Sequence, residues 1–181
     1  MFLKGAFFAS MIKNIINEKM ELLDIVNDKN EVIGHAEREE IYRKKLPHRI
    51  VHVLIFDDQG KMALHKRSNS VSFCPNHWST PVGGHVLSGE TYKQAALREY
   101  KEELGINSPV EFAFEDVYDD GIRPKKFLQT FKTLYNGPFN INPKAVQEIR
   151  FFTLDEIKEM IKNKELFHPE LLFLLKKHFN V

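Results

Sequence analysis

The chain has 181 residues, 43% of them hydrophobic and 28% charged, which suits one globular domain and excludes global disorder. Lys and Arg number 26 against 25 Asp and Glu, a net charge of +1, so no basic surplus points to a nucleic-acid partner. The single cysteine, Cys74, excludes an intramolecular disulfide and suits a reducing, cytoplasmic setting, and no apolar run reaches the roughly 18 residues of a membrane span.

Residues 1–19 read as an extension dispensable to the fold, ahead of one domain over 20–181. Their apolar stretch, Gly5 to Ser10, imitates a secretory signal but is shorter than the roughly 7–15 residues such a signal needs. Glu21–Val26 and Glu31–Ala36 are predicted to pair as a hairpin, and Arg38–Lys45 to form a short charged helix ending before Pro47. Ile50–Phe56 is an almost continuous apolar run, the pattern of a central strand buried on both faces, and Lys61–Lys66 is its expected hairpin partner. A loop over Ser68–Asn76 follows, and Trp78–Val82 leads into the double glycine Gly83-Gly84.

Helix formers dominate Thr91–Leu104, with Gly105 as the stop. Glu111–Tyr118, Lys126–Tyr135 and Glu148–Leu154 read as further strands. Thr153-Leu154-Asp155-Glu156 is a capping box, and Pro169 opens a last helix with a leucine stripe. The order implies an α+β layered domain.

The chemistry concentrates between Gly84 and Ile106. Glu99, Glu102 and Glu103 stand three and four residues apart, so all three carboxylates project from one side of one helix. Like charges so placed repel unless a cation joins them, and hard oxygen ligands suit Mg²⁺, with Mn²⁺ as the alternative. Gly83-Gly84 permits a tight turn with close backbone approach. Arg98 can reach back to Glu90 and brace loop against helix, a structural role.

The full spacing, Gly84-x5-Glu90-x7-Arg98-Glu99-Tyr100-x-Glu102-Glu103-x-Gly105-Ile106, resembles the Nudix box of the Nudix hydrolase superfamily. Tyr100 departs from the bulky aliphatic residue expected there, and its buried hydroxyl needs a partner. The resemblance extends from about Leu22 to Ile157 and looks most like the isopentenyl-diphosphate-isomerase-like branch. Its carriers are Leu46-Pro47-His48-Arg49, Lys66-Arg67, Cys74 to Trp78, Gly83-Gly84-His85, Asn136 to Phe139 and Glu148 to Phe152.

Membership implies an α/β/α sandwich around a mixed sheet. It also implies Mg²⁺ held by the carboxylates matching Glu99 and Glu103, assisted by Glu102, with the Gly84 carbonyl completing the shell. The implied reaction is hydrolysis of a diphosphate linkage in a small molecule, with Glu103, Glu102 or Glu148 as the base. Arg67, His48 and His85 are candidate substrate or phosphate contacts, with solvated or structural roles as their alternatives. An isomerase would need a cysteine where this chain has Gly83. Its metal site would need a histidine near Ile41 and glutamates near Pro124-Lys125-Lys126. Two alternatives stay open: isopentenyl-diphosphate isomerisation, and a non-catalytic module that binds nucleotide. Oligomeric state and substrate are not legible.

Overall fold

A computed structural model describes residues 21–181. The expected dispensable extension, residues 1–19, lies outside the described residues. β1 (Leu22–Val26) and β2 (Val32–Glu37) form an antiparallel pair, and α1 (Arg38–Lys44) follows. The main sheet holds β3 (His48–Phe56), β4 (Met62–Arg67), β5 (Trp78–Ser79), β6 (Val82–His85), β7 (Glu111–Tyr118), β8 (Lys126–Leu134) and β9 (Val146–Phe152). Helices α2 (Tyr92–Leu104), α3 (Leu154–Lys162) and α4 (Pro169–His178) cover it.

β3 and β8 run parallel and the other pairs antiparallel, so the sheet is mixed. Along β3, Val51, Val53 and Ile55 pack into one cluster with Ala95, Ala96, Tyr100 and Leu104 of α2. Leu54 faces the other way, into a cluster with Ile157 of α3 and Leu171 and Leu175 of α4. Alternation along a strand buried on both faces therefore yields the expected α/β/α sandwich. α2 has the local signals its sequence promises: a reciprocal Thr91–Gln94 capping box and Gly105 in the left-handed conformation at its end.

The expected β3–β4 hairpin needs correction. The two strands meet at Phe56↔Met62 and then part. The edge of β3 from Ile50 to Val53 is taken by β6, while β4 pairs with β9 from Met62 to Arg67 and with β5 at His65 and Lys66. A strand edge holds one ladder at a time, and the glycines of β6 let that strand displace β4. The sheet therefore opens into a gap between β3–β6 and β4–β5. Smaller differences occur at element ends. β3 begins at His48 rather than Ile50, because its parallel register with β8 starts at His48↔Lys126, and β9 begins at Val146 rather than Glu148.

Candidate active site

A cavity of about 350 Å³ fills the gap in the sheet. On the α2 side its wall carries Glu99 and Glu103, with Gly83 and Gly84 of β6 beside them. On the α4 side it is lined by His52, Lys126, His168 and Glu170, and near the rim by Arg67, Arg38, Glu21 and His85. The parting of β3 and β4 is what lets residues from opposite faces of the sheet share one space.

The box carboxylates are held in different ways. Glu99 folds against Gly84, occupying the space any Cβ there would need. Glu103 Oε2 accepts a hydrogen bond from the Gly83 amide at 3.2 Å. Burial and the neighbouring Glu99 charge push the Glu103 carboxyl upward, against the Gly83 amide hydrogen bond and the Arg67 charge. Burial also raises Glu99, against the opposing pull of Arg98.

Arg98 spans the expected brace and more. Its Nε and Nη2 donate to Glu90 at 2.8 and 3.0 Å, and Nη2 also donates to the His85 carbonyl at 2.9 Å. Its Nη1 donates to Glu99 at 2.7 Å and to Glu102 at 3.2 Å. Among the described residues no three acidic, histidine or cysteine side chains already converge on one point. Glu102 stays exposed and does not line the cavity. The donor chemistry nevertheless fits a hard divalent cation. Two crowded carboxylates with raised proton affinity stand beside a backbone turn stripped of side chains.

The remaining expected residues are distributed unevenly. Arg67 lines the cavity and donates from Nε to the Phe73 carbonyl at 3.1 Å. His85 lines it too, with Nε2 3.0 Å from the Tyr42 hydroxyl. His48 stacks behind His85, ring centroids 5.5 Å apart, and its Nδ1 faces the Leu46 carbonyl at 3.1 Å. Burial drops His48 to about 4 and holds His85 well below the ordinary histidine value, so both rings are neutral.

Glu148 is not brought to the cavity. On β9 it shares a face with Phe152, which packs toward α3 and α4, whereas Ile149 and Phe151 pack toward α2. Ile41 is fully buried in a small core with Leu23 and Ala36. Tyr100 is also fully buried, and its hydroxyl has no hydrogen-bond partner among the described residues, so the expected pairing is not made. Cys74 lies in the loop before β5, outside the cavity wall, and burial raises its thiol.

Several cavity residues escape sequence reasoning. Glu170 is 3% exposed and Lys126 4% exposed. Glu170 Oε1 accepts from Lys126 Nζ at 2.5 Å, and Oε2 lies 3.1 Å from His52 Nε2. His52 Nδ1 lies 3.0 Å from the Thr80 hydroxyl. With Nε2 against Glu170 and Nδ1 against the Thr80 hydroxyl, neither ring nitrogen of His52 is unpaired. Burial alone would raise Glu170, but the His52 hydrogen bond and the Lys126 charge hold it well below the carboxylate range. The one sequence signal was a polar residue, His52, inside the apolar run Ile50–Phe56.

Residues 46–175, which contain every carboxylate above except Glu21, match the NUDIX domain family. The chain belongs to that family. Curated relatives include an uncharacterized Nudix hydrolase of Yersinia pestis, 32% identical over 139 residues (76% of each chain). Another, from Listeria monocytogenes, is 30% identical over 171 residues, 90% of this chain and 95% of the relative. Among solved structures, DR0079 from Deinococcus radiodurans superposes with a TM-score of 0.72 at 26% identity, covering 87% of this chain and 98% of that one. The protein is thus a Nudix hydrolase with the Nudix fold, and the box over residues 84–106 supplies one wall of its cavity. Among the described residues no helix is long and apolar enough to cross a membrane.

Proposed function

We propose that this Nudix hydrolase cleaves a diphosphate linkage in a small X-diphosphate molecule with Mg²⁺, or Mn²⁺, as its cofactor. The observation that carries this reading is the placement of Glu99 and Glu103 on the cavity wall beside the Gly83–Gly84 turn. Glu99, Glu103 and the Gly84 carbonyl would hold the cation, with Glu102 as the assisting carboxylate. The bound cation supplies neutralisation of phosphoryl oxygens and a positioned water.

Glu103 takes the proton of the attacking water. Among the three candidate bases it alone lines the cavity, since Glu102 faces Arg98 in solvent and Glu148 stands on β9, along the edge of β4 that faces away from β3. Arg98 and Glu90 keep the loop and helix in register. Arg67 and His85 line the space where the substrate sits. The single cysteine and the balanced charge support a cytoplasmic enzyme of small molecules rather than of nucleic acid.

The resemblance to the isomerase-like branch concerns sequence segments, and we place this chain on its hydrolytic side. Gly83 offers no thiol, Lys126 stands in the stretch where acidic ligands would be needed, and Ile41 is enclosed in core. The test is a Mg²⁺ hydrolysis screen over nucleotide sugars, dinucleotides, nucleoside triphosphates and prenyl diphosphates. Metal-dependent release of phosphate or monophosphate is expected, falling about 10²–10³-fold in Glu103→Gln. Near-wild-type turnover by both Glu99→Gln and Glu103→Gln at limiting Mg²⁺ overturns the assignment. Nucleotide binding without turnover of any substrate would support the non-catalytic module instead.

A further inference from the structure

Buried ion pairs are costly: replacing one by apolar residues of similar volume is often neutral or stabilising. The Lys126–Glu170 pair is nevertheless kept in the wall of a polar cavity, not in a sealed core. Glu170 is fully engaged, one oxygen on Lys126 and the other on His52. It also sits in the first turn of α4, directly after Pro169, where the helix dipole favours a carboxylate. Lys126 is not fully engaged. An ammonium carries three donors, and among the described residues Glu170 is its one hydrogen-bond acceptor. Its other near neighbour is the Tyr42 ring, centroid 5.8 Å away.

A second unpaired group lies in the same wall. His168 is 9% exposed, and its Nδ1 has no hydrogen-bond partner among the described residues. Lys126, an ammonium with spare donors, thus lines the same cavity as His168 and the box carboxylates Glu99 and Glu103. An anionic oxygen entering there would meet a fixed cation whose reorganisation is already limited by Glu170 and His52.

We propose that Lys126 is a substrate-binding residue that receives an oxygen of the phosphoryl group farther from the box carboxylates, with Glu170 and His52 holding its ammonium in place. This rests on the hydrolase reading above and deepens it. The diphosphate lies across the cavity, one phosphoryl group at the Glu99–Glu103 end and the other at Lys126. The cavity, about 350 Å³, then favours a diphosphate carrying one compact group.

The test uses methylenediphosphonate, a non-hydrolysable diphosphate, titrated by calorimetry into the full-length protein with saturating Mg²⁺. Lys126→Met should weaken binding about 10–100-fold, the loss of one charge-assisted hydrogen bond. Because Lys126→Met strands Glu170, the double variant Lys126→Met/Glu170→Gln is measured beside it. It should unfold near the wild-type midpoint and still bind weakly. Wild-type affinity in either folded variant overturns the proposal. If those variants bind normally while Glu99→Gln does not, the hydrolase reading stands and Lys126 alone is misassigned. No binding by the wild-type protein overturns both.

Discussion

Glu99 lays its carboxylate in the space that a Cβ on Gly84 would occupy. The glycine is needed there for close approach, since its φ is not in the left-handed region. The crowded atoms belong to a movable side chain, so a larger residue would displace the carboxylate rather than the fold.

Gly84→Ala should therefore leave the unfolding midpoint nearly unchanged while driving Glu99 out of place. Activity should fall about 10²-fold, the cost typical of losing one positioned electrostatic group. Parallel thermal melts and Mg²⁺ titrations check this, and an unaltered Mg²⁺ requirement would remove Glu99 from the metal set.

Glu103 gives the metal-free protein a pH signature. Its carboxyl is raised in the folded state, so the fold binds more protons than the unfolded chain above the ordinary carboxylate value of 4.5. Its contribution to stability accordingly declines as pH rises from there. A divalent cation needs the ionised form, so the gain in melting midpoint on adding Mg²⁺ should be larger at pH 8.5 than at pH 6. Glu103→Gln should flatten the difference.

Acid should act through the buried histidines. Burial lowers His48 and His65 to about 4 and His168 to about 3, against 6.5 in the unfolded chain. Between these values the unfolded state binds more protons, so stability falls as pH drops from 6.5 toward 4. The midpoint should drop by on the order of 5–10 °C between pH 6.5 and 4.5. His48→Leu should make that decline shallower.

Isomerisation should be absent. Incubated with isopentenyl diphosphate and Mg²⁺ or Mn²⁺, the protein should form no dimethylallyl isomer. Gly83→Cys should not rescue it, because a Cβ at Gly83 stands 2.9 Å from His52 Nδ1 and would disturb the His52–Glu170 pair. Isomer formation by the unmodified chain would refute the hydrolytic assignment.

What the sequence discloses about this site is what local rules determine. The capped helix over Tyr92–Leu104 and the Arg98–Glu90 brace rest on residues a few positions apart, where helical geometry dictates contact. Lys126 and Glu170 lie 44 residues apart and meet only because β8 sits beside β3 under the first turn of α4. No periodicity records that encounter. Glu148 depends on a long-range pairing in the same way: β9 takes the edge of β4 away from β3, and that strand order is not written in any local pattern.

The single meeting of β3 and β4 at Phe56↔Met62 makes the turn between them a fulcrum. That turn is tied down by Asp57, whose carboxylate accepts from the Gln59 and Lys61 amides, and by Asn136, which accepts from Asp58. From Phe56 to His52 the strand runs about 13 Å at strand rise. A swing of roughly 5° at the turn would therefore carry the far arm through about 1 Å, enough to matter for the alignment of reacting groups. The placement of the β4 wall, which carries His65 and Arg67, against the β3–β6 wall is thus governed by a tight turn at the opposite end of the strands, where substitutions touching no substrate would still alter the rate.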